Sequence, residues 1–344
     1  MDSEGAGRIS CRLRKWKERE RSGEKRMSQR KASATGAAKP PRKKIRWKRM
    51  LPFYLMALPG FIYMIINNYL PMFGIVIAFK KLNFKKGIWG SPWCGFDNFK
   101  FLFASADAWI ITRNTIFYNI AFFLVGNVTA IAVAILINEI RKKTAKKLYQ
   151  SLILLPYLMS WVIVSYLAFT FLSAETGMFN KGILEPLGHA GINWYQEKKY
   201  WPFILVFVNV WKGIGYSMII YLSSIVGISV DYFEAARIDG ATKWQQIKCI
   251  TLPLLKPTVI TLFILSVGQI FRSDFGLFYQ MPRNSGSLYS VTRTLDVYIY
   301  QALMKNNDYS MSSAASVYQS IVGFVLIIGA NKLVKKYESG SALF

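Results

Sequence analysis

Residues 231–257 read DYFEAARIDGATKWQQIKCITLPLLKP and join two long apolar runs. Ser229 or Asp231 can cap a helix running into Glu234-Ala235-Ala236, because a short side-chain oxygen there accepts from an otherwise unpaired backbone N–H. Two successive alanines give a low-relief surface that another protein can approach closely. Gly240 permits a sharp turn. Ala241, Trp244, Ile247 and Ile250 then recur at three-residue spacing and predict a second amphipathic piece, while Pro253 and Pro257 are expected to break and restart the chain as it enters the next apolar run. The pattern is that of a short helix–turn–helix at a membrane surface, suited to docking.

The flanking runs, 201–230 and 257–280, carry few charges: Lys212 in the first, Arg272 and Asp274 in the second. Further out, Leu51–Phe79 holds 29 residues without a charge, Asn114–Asn138 holds 25, Leu148–Ala174 holds 27 and Tyr309–Asn331 holds 23. About 20 residues cross a bilayer, so the sequence predicts an all-α membrane protein with six spans over residues 51–338. Lys and Arg set the orientation, since they accumulate on the cytoplasmic side. The N-terminal tail has 18 of them, 139–147 has five, 231–256 has four and the C-terminal tail three; the alternate segments hold six, three and three. Both termini and the 231–257 segment are therefore expected in the cytoplasm.

Composition agrees with that reading and removes several function classes. Of 344 residues, 53% are hydrophobic and 18% charged, against about 25% charged in an ordinary soluble domain. Residues 1–50 are rich in Lys, Arg, Ser, Gly and Ala and read as a disordered cytoplasmic tail, held against anionic lipid at on the order of 1 kcal/mol per basic residue. With Trp16 and Trp47 as its only aromatics, the tail lacks the interleaved rings that a nucleic-acid strand would stack on. Three scattered cysteines (Cys11, Cys94, Cys249) make no disulfide framework or zinc cluster, and a single histidine, His189, excludes HExxH. No GxxxxGK[ST] occurs, so the chain has no P-loop, and it is expected to bind no metal or cofactor of its own. Asn127-Val128-Thr129 matches a glycosylation sequon but falls within an expected span.

Glu-Ala-Ala, three residues, Gly, nine residues, Ile, one residue and Leu-Pro form the EAA signature of binding-protein-dependent ABC importer permeases. Here it falls on Glu234, Ala235, Ala236, Gly240, Ile250, Leu252 and Pro253, with every spacing matched. The resemblance runs from about residue 51 to the C-terminus. The sugar-permease branch is resembled at Gly95-Phe96-Asp97-Asn98-Phe99, at Asn114-Thr115, at Leu155-Pro156 opening span three and at Trp211-Lys212. The subgroup associated with oligosaccharide uptake is resembled at 276–280 and 313–315. The first 50 residues match nothing in that pattern, and a start at Met27 is an open alternative. The resemblance implies a bacterial cell-membrane permease that is not an enzyme. Its EAA segment would couple to a separate ATPase: Glu234 would pair with a basic residue there, Ala235 and Ala236 would permit close packing, and Gly240 would shape the turn, with Asp239, Ile250, Leu252 and Pro253 as further coupling residues. Implied partners are two ATPase subunits, which carry the ATP and Mg, a second, homologous permease, an extracytoplasmic solute-binding protein, a sugar, and membrane lipid. A permease for a non-sugar solute, a secondary transporter and a polytopic membrane enzyme stand as alternatives.

Charged residues inside spans are costly and are functional candidates by default. One reading has Lys212, Arg272 and Asp274, with Gln269, Trp211, Tyr216 and Tyr279, lining a polar path for a sugar, whose hydroxyls need hydrogen-bond partners and whose C–H faces pack on rings. The other has Arg272 and Asp274 contacting the binding protein or each other, with Lys212 reaching along its stem to a polar boundary or a partner.

Overall fold

A computed structural model describes residues 47–101 and 106–337. Most of the basic tail, including Met27, lies outside the described residues. Among those described the named elements are all helical, apart from one isolated antiparallel bridge between Lys80 and Trp93. The principal helices are α1 (Trp47–Met64), α2 (Ala106–Glu139), α3 (Lys143–Leu158), α4 (Trp161–Leu172), α5 (Trp201–Val226), α6 (Val230–Ile238), α7 (Leu252–Gly268), α8 (Phe275–Gln280), α9 (Leu295–Met304) and α10 (Tyr309–Tyr337). Five stretches among the described residues are long and apolar enough to cross a membrane: Leu51–Phe79, Asp107–Glu139, Lys198–Val226, Lys243–Gly268 and Tyr309–Lys336. A sixth passage exists if α3 and α4 count as one span bent by 96°.

The chain divides into two compact units. Of the described residues, one contains 47–70 together with Ile228–Leu254; the other contains 71–101, 106–227 and 255–337. In the larger unit α2 packs along α5, α3 also lies on α5, and α10 lies against α9 and the 3₁₀ segment Phe73–Phe79. One core gathers Tyr118, Trp201, Leu205, Leu277, Phe278 and Met281. A second gathers Ala130 and Ala134 of α2 with Met218, Tyr221, Leu222 and Ile225 of α5 and with Leu255. Glycines allow the closest approaches. A Cβ on Gly215 would sit 2.4 Å from the Ile153 carbonyl oxygen, so α3 and α5 touch backbone to backbone, as small residues permit in membrane bundles.

Two expected spans are interrupted. The run 148–174 is not one helix. Pro156, lacking an N–H, sits in the last turn of α3, and Met159 and Ser160 are extended. The Ser160 hydroxyl then accepts from Ile163 N at 3.3 Å and starts α4. Leu155-Pro156 therefore lies just before the bend and does not open the span. The run 257–280 also stops early, at Gly268. A Cβ on Gly323 of α10 would lie 2.8 Å from the Gly268 carbonyl oxygen, a second close approach.

The break at 269–274 leaves backbone groups without helical partners, and in hydrocarbon each such group costs several kcal/mol. Side chains supply the bonds. Asn119 Nδ2 donates to the Ile270 and Arg272 carbonyls at 3.0 and 2.8 Å. Gln319 Nε2 donates to the Phe271 carbonyl, and Asp296 accepts from Ser273 N and, at 2.9 Å, from Ser273 Oγ. Asp274 Oδ1 accepts from Leu277 N at 3.2 Å and caps α8.

Pro253 and Pro257 do not break the chain as expected. A π-helical turn, Ile247–Thr251, precedes Pro253, with the Leu252 N–H reaching back five residues to the Ile247 carbonyl, and α7 runs through Pro257. The wider turn accommodates what a proline ring would disturb in regular α-helix.

Candidate functional site

In the 231–257 segment, Ser229 and not Asp231 is the N-cap: its hydroxyl accepts from Asp231 N at 3.3 Å. α6 ends at Ile238 with Gly240 at φ +74°. Ala241 N donates to the Ala236 carbonyl at 2.8 Å and Gly240 N to the Arg237 carbonyl at 3.0 Å. That pair of bonds around a left-handed glycine is a Schellman closure, which satisfies the orphan carbonyls at a helix end. Thr242 then starts the next helical turn in a capping box with Gln245.

The turn leaves Glu234, Ala235, Ile238 and Asp239 exposed, Ile238 at 87%, with Trp244 at 71%. Two expectations change here. Ala236 is buried, so the low-relief surface is Ala235 alone. Trp244 leaves the anticipated apolar face, and the buried positions are Gln246 and Ile250, one helical turn apart. Gln246 Nε2 donates to the Ala241 carbonyl at 3.1 Å, which makes its burial tolerable. Leu252 and Pro253 are exposed.

The path candidates do not form one group. Lys212 of α5 points its ammonium into the bend between α3 and α4, where Nζ donates to the Tyr157 carbonyl at 3.0 Å. It also lies 5.0 Å from the Trp161 ring centroid and 5.5 Å from that of Tyr157. Trp161 Nε1 in turn donates to Asp274 Oδ2 at 2.7 Å, and Tyr216 stacks on Tyr157 at 5.1 Å. Lys212, Tyr216 and Asp274 thus converge through Tyr157 and Trp161. Gly276 makes the approach possible, since a Cβ there would meet Trp161 Cδ1 at 2.1 Å.

The other candidates stand apart. Trp211 packs on the first core. Tyr279 belongs to an aromatic trio with Phe275 and Tyr300. Gln269 and Arg272 are exposed in the break after α7 and not inside a helical span. Sequence reasoning missed Tyr157 and Trp161; the available signal was a proline and a serine, Pro156 and Ser160, each directly before an aromatic residue in an apolar run. Among the described residues no group of His, Cys, Asp and Glu is placed to hold a metal.

An all-helical chain with five or six membrane-length passages and an exposed helix–turn–helix connector has the makeup of a membrane permease. The chain belongs to the family described as binding-protein-dependent transport system inner membrane component, whose model matches residues 126–337. It is similar to Protein LplB of Bacillus subtilis, at 34% identity over 85% of this chain and 91% of the relative. It is also similar to the polygalacturonan/rhamnogalacturonan transport system permease protein YteP of the same organism, at 36% over 83% and 88%. Among solved structures it matches a chain of a bacterial ABC transporter involved in the import of the acidic polysaccharide alginate. That match has a TM-score of 0.77 and 32% identity, covering 85% of this chain and 97% of the other. A second structure of such a transporter, in complex with an alginate pentasaccharide-bound periplasmic protein, matches at TM-score 0.76. The chain is thus a transport component and not an enzyme.

Proposed function

We propose that this chain is one of two permease subunits of an ATP-driven importer and forms the translocation path for an oligosaccharide delivered by an extracytoplasmic binding protein. The observation that carries the coupling role is the exposed α6 connector, closed at Gly240 with Glu234 on its open face. In this reading both termini and the connector are cytoplasmic. Glu234 pairs with a basic residue of the ATPase, Ala235 permits close contact, and Asp239, Gly240, Ile250, Leu252 and Pro253 fix the geometry of the segment. ATP and Mg are held by the two ATPase subunits. The cargoes of YteP, polygalacturonan and rhamnogalacturonan, and of the matching transporter structure, alginate, favour a saccharide. Among the path candidates, the convergence of Lys212, Tyr216 and Asp274 on Tyr157 and Trp161 favours those three over Trp211, Gln269, Arg272 and Tyr279.

The test is affinity purification of the tagged, detergent-solubilised chain from its host. A P-loop ATPase is expected to accompany the wild type and to be lost with Glu234→Lys, while the variant remains in the membrane and folded. Recovery of the ATPase with Glu234→Lys at wild-type yield would refute the coupling assignment.

A further inference from the structure

Lys212 is a cation within a membrane-length helix, and the described residues place no carboxylate in an ion pair with it. The nearby acid is already engaged: one oxygen of Asp274 caps α8 and the other accepts from Trp161. What Lys212 has is one carbonyl and the faces of two rings. An ammonium has three donors, and among the described residues the Tyr157 carbonyl takes one of them. A cation at bilayer depth is costly, and a single carbonyl with ring contacts offsets only part of that cost. A neutral glutamine or tyrosine would hydrogen-bond sugar hydroxyls without that cost. Beside the ammonium, Tyr157 and Tyr216 stack on each other and remain 42% and 51% exposed, so the stack still offers apolar ring surface of the kind a pyranose C–H face covers.

We propose that Lys212, with the Tyr157–Tyr216 platform, is a subsite for a carboxylate-bearing sugar unit, and makes the path selective for acidic oligosaccharides such as uronates. The unit's ring lies on the tyrosines, and its carboxylate takes the free ammonium donors in a charge-assisted bond. This inference rests on the proposal that the chain is a sugar permease.

The test uses the complete purified transporter without its binding protein. Trigalacturonate and its carboxyl-reduced, neutral trisaccharide are titrated onto wild type, Lys212→Met and Lys212→Arg, with retention of the ATPase as the check on assembly. The wild type is expected to bind the acidic probe about tenfold more tightly than the neutral one, the worth of one charge-assisted bond. Lys212→Met should bring the two within about twofold, and Lys212→Arg should keep the preference. Equal binding of both probes by wild type, or an undiminished preference in Lys212→Met, overturns the subsite while leaving the sugar-path reading intact. Binding of neither probe overturns both. Should Lys212→Met fail to assemble, salt titration of the wild type decides: the affinity for trigalacturonate must fall with ionic strength while that for the neutral probe does not.

Discussion

Gly240 shows what a single residue contributes to the connector. Its φ of +74° lies where a Cβ crowds the following carbonyl, a conflict of roughly 1–2 kcal/mol for most side chains and less for asparagine. Space is no obstacle, because nothing lies within 4 Å of where a Cβ would sit. Conformation alone therefore sets the cost, and substitutions should rank by their tolerance of the left-handed region. We expect Gly240→Asn to retain most of the co-purifying ATPase, Gly240→Ala to lose part of it and Gly240→Val to lose most. Equal yields across the three would mean that the Schellman closure is not required for docking.

At the scale of elements, the two broken passages show how polar side chains hold non-helical backbone among apolar helices. Asn119 of α2 carries two of the bonds at the 269–274 break. Replacing it with leucine leaves the half-buried Ile270 carbonyl and the exposed Arg272 carbonyl without these partners, at about 1–3 kcal/mol for a carbonyl that finds no other donor. Asn119→Leu should accordingly speed amide exchange across residues 270–278 while leaving α5 protected, and unchanged protection there would show that the clamp is dispensable. The same elements mark what the sequence could and could not tell. Apolar run length was enough to locate α2, α5 and α10, and motif spacing located the connector, because both are local patterns. The breaks were not legible as such. Gly268 ends α7 where α10 passes close to it, and the groups that satisfy the break come from Asn119, Asp296 and Gln319, far away in the chain. Lys212 stood out as an intramembrane charge, but its neighbours Tyr157 and Trp161 emerge only once α3 turns through 96° into α4. The π turn before Pro253 was likewise invisible, since a proline reads the same whether the helix breaks or widens around it.

For the molecule as a whole, the apolar surface argues for lipid and protein partners. Leu51–Phe79 leaves nearly all of its large side chains exposed, among them Met56 at 81% and Phe53 and Phe73 at 70% each. Continuous exposure of that kind marks a membrane or interaction surface. The proposed role assigns the work on a solute to the partner ATPase subunits. If the connector transmits that work, uptake must follow nucleotide hydrolysis and not the proton gradient. In membrane vesicles loaded with ATP and supplied with the binding protein, vanadate should abolish uptake, whereas a protonophore should reduce it little as long as ATP is maintained. The purified chain alone should hydrolyse no ATP above a blank. Uptake that a protonophore stops while vanadate leaves it untouched would return the chain to the secondary transporters. It would also leave the exposed turn around Glu234 without a partner to drive it.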